Sequence, residues 1–175
     1  MEIRTILTEE EMRRTVERLA YEILERHGTA VDLAFIGIQR RGAELADRIR
    51  NLVAERAARE IPLGKLDINL YRDDWTSMES TPQISRTDIQ FPLEGRDIIL
   101  VDDVLYTGRT VRAALEAILD FGRPNRVELL VLLDRGHREL PISADFTGKR
   151  IETDRGDHVD VLVRERDGRD EVVLS

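Results

Sequence analysis

The 175-residue sequence contains no cysteine. That excludes disulfides, a thiol nucleophile and any metal site built on thiolates. Lysine is scarce: of 27 basic residues only Lys65 and Lys149 are lysines. Positive charge is not in excess either. The 35 acidic residues leave a formal net charge of −8, which argues against a protein coated in cations for indiscriminate nucleic-acid binding but leaves room for a local basic face. No apolar run approaches the roughly 20 residues of a membrane span. Met1-Glu2-Ile3-Arg4 has none of the apolar character of a secretion signal. Internal repeats and low-complexity tracts are absent. What is present, 41% hydrophobic and 35% charged residues, suits one folded domain over 1–175 with a real core, no membrane partner and a cytoplasmic location.

The chain is organised around Ile98 to Thr110. Ile98, Ile99, Leu100 and Val101 form a branched apolar run that suits a strand buried on both faces of a parallel sheet. The carboxylates Asp102 and Asp103 follow at its end. Thr107-Gly108-Arg109-Thr110 then makes a loop of small residues, and Val111, Ala114, Leu115, Ile118 and Leu119 recur at helical spacing up to Phe121-Gly122. This order has a chemical use. A helix start offers unpaired N–H groups and partial positive charge to a phosphate. Thr107 and Thr110 add hydroxyl donors, and Gly108 lets the backbone approach a ligand. Carboxylates at a strand's carboxyl end lie where open α/β sheets bind ligands, and they accept hydrogen bonds from sugar hydroxyls. A phosphate on one side and two hydroxyls on the other describe a ribose 5-phosphate.

Along the rest of the chain, Thr8 and Glu11 read as a capping box. Met12, Val16, Leu19, Ala20 and Ile23 continue a helix to Gly28, whose other face carries Arg13, Arg14, Glu17, Arg18 and Tyr21. Leu33 to Ile38 reads as a buried strand. Gln39-Arg40-Arg41-Gly42 turns into a second helix from about Ala43 to Arg59, and two Arg beside a helix start suit a diphosphate. Lys65 to Tyr71 alternates as a strand with Leu66, Ile68 and Leu70 inward. The polar stretch 72–86, with Trp75, reads as a long loop, mobile and functional. Arg126 to Leu133 gives another apolar strand, ending at Asp134-Arg135-Gly136-His137-Arg138-Glu139-Leu140-Pro141-Ile142. His137 there is either a proton shuttle or a solvated, hydrogen-bonded side chain. Val159 to Val163 and Glu171 to Leu174 read as a closing hairpin with Asp167-Gly168 in its turn.

The Ile98 to Thr110 stretch resembles the phosphoribosyl-pyrophosphate (PRPP) signature of type I phosphoribosyltransferases. Leu70 to Asp74, Val101 to Thr110 with its Val104-Leu105-Tyr106 insert, and Asp134 to Ile142 narrow the resemblance. Together they are similar to the family of bifunctional pyrimidine operon attenuation regulators and uracil phosphoribosyltransferases, over nearly the whole chain. The resemblance implies an α/β fold, a mostly parallel sheet flanked by helices, with a small hood from the chain ends. It implies UMP formation from uracil and PRPP, Mg2+ carried mainly by PRPP rather than by direct protein ligands, and a homodimer or tetramer. Asp102 and Asp103 would then act on the sugar. Val104, Leu105, Tyr106, Thr107, Gly108, Arg109 and Thr110 would complete the PRPP and UMP site, with Arg40 and Arg41 on the pyrophosphate and the 72–86 loop as lid. Arg138, Val159 and Val161 are the base and hood candidates. The family also binds a hairpin in pyrimidine leader mRNA, for which Arg14, Arg18, Arg138, Lys149 and Arg150 are the candidates here. At that face the sequence departs from the family pattern: Glu17 and Tyr21 stand where Thr and His occur, and Ser143 where Arg occurs. Two other readings stay open, a nucleotide-sensing RNA binder without significant catalysis and a phosphoribosyltransferase for another base.

Overall fold

A computed structural model of the chain describes residues 2–69 and 87–175. The elements in order are β1 (Arg4–Leu7), α1 (Glu9–His27), β2 (Leu33–Ile38), α2 (Arg41–Ala57), β3 (Leu63–Leu66), β4 (Asp97–Leu105), α3 (Arg109–Phe121), β5 (Arg126–Asp134), β6 (Phe146–Arg150), β7 (Val159–Leu162), α4 (Arg164–Asp167) and β8 (Glu171–Leu174). Five strands form a parallel sheet in the order β3-β2-β4-β5-β6. The chain ends meet in an antiparallel sheet, β1-β8-β7, which is the hood.

The side-chain period of two along a strand divides the interior. Leu33 and Phe35 of β2, Ile99 and Val101 of β4, and Leu130 and Leu132 of β5 pack with α1, α2 and the hood's Val161 and Val172. Ala34, Ile36, Ile98, Leu100, Leu129 and Val131 pack on the other face with Val111, Ala114 and Ile118 of α3. The sheet is covered on both faces, so the middles of its central strands β2, β4 and β5 are apolar runs. β2 leads into α2 on one face and β4 into α3 on the other. The crevice between their carboxyl ends is the topological switch point of the sheet, where open α/β folds bind ligands.

Thr8 caps α1 as its sequence indicates: its Oγ accepts from the Glu11 N–H, and the Glu11 carboxylate accepts from the Thr8 N–H at 2.8 Å. Several other boundaries differ from the sequence reading. α2 starts at Arg41 rather than Ala43, because Arg40 is its N-cap without any side-chain cap, and it stops where Ala58 turns left-handed. β3 occupies Leu63–Leu66, since its ladder with β2 ends at Ile38↔Leu66; Ile68 is buried without belonging to the strand. Leu70 and Tyr71, and the 72–86 loop with Trp75, lie outside the described residues. β4 continues past the two acids to Leu105, paired there with β5. Leu119 is exposed, the α3 stripe being filled instead by Ala113 and Ala117. β7 and β8 are joined by the single helical turn α4, with Gly168 at φ +75°, not by a tight hairpin turn. β6 went unread: it has one buried apolar residue, Phe146, and ends in Lys149-Arg150, as a charged sheet edge does.

Candidate active site

At the switch point Ile38, Gln39, Arg40 and Arg41 from the β2–α2 junction, Ile68 and Asn69 from beyond β3, Asp102, Asp103 and Val104 of β4, and Thr110 of α3 line one cavity of 250 Å³. The two arginines and two carboxylates, 62 residues apart in sequence, are thereby brought together. The contact that allows this is Gly42. A Cβ there would lie 2.6 Å from the Val101 carbonyl oxygen and 3.1 Å from Asp102 Cα, so the first turn of α2 rests directly on the acid pair. A larger groove of 550 Å³ runs between α1, α2 and α4, but its arginines are already paired, as in Arg13–Glu17 and Arg48–Glu165.

The acids hold each other in place. The Asp103 N–H donates to Asp102 Oδ1 at 2.9 Å and the Val104 N–H to Asp103 Oδ1 at 2.8 Å. Burial pushes the Asp103 carboxyl above the usual range; the hydrogen bond with Asp102, the Val104 N–H and the charge of Arg41 work against that rise. Arg41 faces Asp103 on one side and is gripped on the other by Asp167 of the hood, at 3.0 and 3.3 Å.

One end of the site is the start of α3, which contributes Thr110 to the cavity. Its N-cap is Gly108, at φ +94°, with no side-chain cap and no acid in the first turn. Of its first-turn N–H groups, that of Arg109 donates to Thr107 Oγ1 at 3.3 Å, and a helix start of this kind attracts an anion. Gly108 is required by its backbone and by its neighbours, since a Cβ would meet Ile142 at 3.1 Å. The Asp134 to Ile142 block braces this loop from behind. The N–H groups of Glu139 and Leu140 donate to the Thr107 carbonyl at 2.9 and 3.1 Å, and Glu139 pairs with Arg109. Arg138 donates to Asp134 Oδ2 (2.6 Å), the Tyr106 carbonyl (2.8 Å) and the Ile142 carbonyl (2.8 Å). The Tyr106 ring lies under the Arg135 guanidinium at 4.1 Å and edge-on to His137. His137 is hydrogen-bonded through Nε2 to the Thr153 carbonyl. Val161 is in the core, with Val159 partly buried against it, and neither lines the cavity.

Arg14, Arg18, Lys149 and Arg150 are all exposed along the seam between α1 and β6. Arg18 donates to the Gly148 carbonyl and Lys149 to the Ile6 carbonyl. Arg150 stands in register with Asp134, the residue that Arg138 binds. Glu17 is paired with Arg13 at 2.7 Å, and Tyr21 is covered by Arg56 at 4.3 Å. The sequence reading missed Asp167, Asn69 and Arg135. Asp167 is 126 residues from its partner Arg41, and Asn69 fell inside an alternating pattern taken for strand. Arg135 was visible only as part of a motif.

The family model "Phosphoribosyl transferase domain" matches residues 2–166. "Bifunctional protein PyrR" of Thermus aquaticus is 55% identical over 164 residues, covering 94% of this chain and 91% of that protein. The protein of the same name from Chloroflexus aurantiacus is 52% identical over 169 residues, 97% of this chain and 93% of that one. Among solved structures, a hypoxanthine-guanine phosphoribosyltransferase from Bacillus anthracis superposes with a TM-score of 0.73 at 17% identity, covering 99% of both chains. At that identity the likeness is one of fold.

Proposed function

The chain belongs to the phosphoribosyltransferases, in the group of bifunctional PyrR proteins, and from this premise we propose that it makes UMP and pyrophosphate from uracil and PRPP and also binds pyrimidine leader RNA. The observation that carries the enzymatic reading is the shared cavity of Arg40, Arg41, Asp102 and Asp103 beside an acid-free helix start. The first-turn N–H groups of α3, with Thr107 and Thr110, hold the 5-phosphate. Asp102 and Asp103 accept from the ribose hydroxyls. Arg40 and Arg41 take the diphosphate through charge-assisted hydrogen bonds.

No protein nucleophile is needed. Departure of pyrophosphate leaves positive charge on the sugar ring, and the two carboxylates and two guanidinium groups are set in advance to favour that separation. The hood's β7 backbone places the base nitrogen in line, a proximity effect. The hard carboxylate oxygens at the cavity wall fit Mg2+ held mainly by substrate oxygens and water. When bound, the ion neutralises charge on the leaving diphosphate.

A sensor that only holds UMP has no use for a diphosphate grip, and Arg41 lines the same cavity as the acids. Calorimetry separates the readings: catalysis requires PRPP binding, whereas UMP binding without PRPP binding means a sensor. For RNA, the α1–β6 seam, extended through Arg150 to Arg138 and completed in a dimer or tetramer, is the proposed surface. Specific binding to a pyrimidine leader hairpin over a scrambled one is expected, strengthened by UMP through linkage. Each neutralised phosphate contributes about −0.7 to −0.9 to the slope of log affinity against log salt. Glu17→Thr removes a negative charge and frees Arg13 Nη1, while Nε and Nη2 stay on Glu10, so a gel-shift titration with this variant is expected to show tighter binding at unchanged UMP synthesis. Equal, UMP-insensitive binding of both hairpins would contradict the RNA half of the proposal.

A further inference from the structure

The hood is fastened to the core by charge pairs along one face of α2. Arg41 binds Asp167, Glu44 binds Arg166 at 2.9 Å, and Arg48 binds Glu165 and Asp170. Positions 41, 44 and 48 follow the helical repeat, so the helical turn α4 lies against a single stripe of α2. The pair nearest the cavity differs from the others in what it touches. Asp167 Oδ1 accepts from Arg41 Nη2 at 3.0 Å and Oδ2 from Nε at 3.3 Å, and Oδ2 also accepts the Val163 N–H at 2.8 Å. One edge of the guanidinium is therefore occupied. Among the described residues Nη1 takes no partner, while Arg41 lines the cavity that holds Asp102 and Asp103.

We infer that Asp167 is a positioning residue that fixes the Arg41 guanidinium, through its Nε–Nη2 edge, to present its remaining donors to the diphosphate of PRPP. This rests on the phosphoribosyl transfer proposed above. A free arginine side chain loses rotamer entropy on binding, and a guanidinium already clamped in place avoids that cost. Asp167 is itself held: burial disfavours its charge, but the Val163 N–H and Arg41 outweigh it and keep the carboxyl below its ordinary range. The clamp also links the hood, where the base docks, to the group that grips the leaving diphosphate.

Asp167→Asn tests this selectively. The amide has one acceptor oxygen. Given to the Val163 N–H, it keeps that bond and turns an NH2 group towards Arg41 Nη2, so the two-point clamp is broken and the local fold retained. Calorimetry on the full-length protein with pyrophosphate, PRPP and UMP, each with Mg2+, is expected to show about tenfold weaker binding of pyrophosphate and PRPP. UMP, which has no diphosphate, is expected to bind as before. Glu165→Gln, which loosens the hood at Arg48 away from the cavity, is expected to leave all three affinities unchanged. Unchanged pyrophosphate affinity in Asp167→Asn would overturn the inference. So would an equal loss for UMP, or the same loss in Glu165→Gln, either of which means general loosening. A parent protein that binds neither PRPP nor pyrophosphate would instead overturn the proposed function, and the inference with it.

Discussion

Asp103→Asn is expected to lower the rate of UMP formation by about 10²–10³-fold, the usual loss for one preorganised electrostatic contact, and at the same time to raise the melting temperature at neutral pH. The two effects share a cause. Burial lifts the carboxyl's pKa in the folded protein, so between the unfolded and folded pKa values the folded state binds more protons. Stability therefore falls as pH rises through that interval. Asn keeps an acceptor for the Val104 N–H, which donates at 2.8 Å, and removes the charge. For a chain of this size each kcal/mol recovered is worth about 2–4 °C. The difference in melting temperature between variant and parent should shrink as pH falls from the raised folded pKa to the ordinary carboxylate range, because the parent's folded Asp103 already takes up its proton over that interval. Near-normal turnover, or a variant that melts earlier than the parent, would reassign this acid to structure.

Arg138→Met is expected to damage stability and phosphate binding together. Three of its donors serve the loop behind the phosphate site, at Asp134, Tyr106 and Ile142. Removing one partner of a largely buried pair strands the other, at a cost of about 3 kcal/mol, or on the order of 10 °C in melting temperature. Asp134 shows the same dependence by titration: although burial raises its pKa, Arg138, the Gly136 N–H and Arg150 together bring it below the ordinary range. Its stabilising contribution is present above the unfolded pKa and is lost as pH falls through the lower, folded one. The variant should therefore lose less stability on acidification than the parent. UMP and PRPP should both bind more weakly, since the loop before Thr107 loses the Arg138 bond to the Tyr106 carbonyl. If Arg138 served only the base, thermal denaturation would show no change.

Where the sequence was legible, a local physical signal decided the structure. Continuous apolar runs located β2, β4 and β5, because strands covered on both faces admit few polar residues. Thr8 and Glu11 announced the start of α1. The acid pair and the Thr107–Thr110 loop were legible because strand, loop and helix start adjoin in sequence. Misplaced boundaries had no such signal. α2 begins without a capping side chain and ends on an alanine in the left-handed region. β6 is an edge strand with little apolar content. The harder losses are of long range. Nothing local to Arg41 indicates Asp167, and nothing in the pattern around Arg138 shows that its donors face its own loop and the Tyr106 carbonyl. Tertiary placement decides both.

The most direct measurement is to incubate the protein with PRPP, Mg2+ and, separately, uracil, hypoxanthine and orotate, following nucleotide and pyrophosphate. The cavity that joins Arg40 and Arg41 to Asp102 and Asp103, in a chain of the PyrR group, predicts UMP and equimolar pyrophosphate from uracil. Nucleotide formed from another base instead would contradict the assignment of uracil. No nucleotide from any base, with the fold intact, would contradict the enzymatic reading altogether.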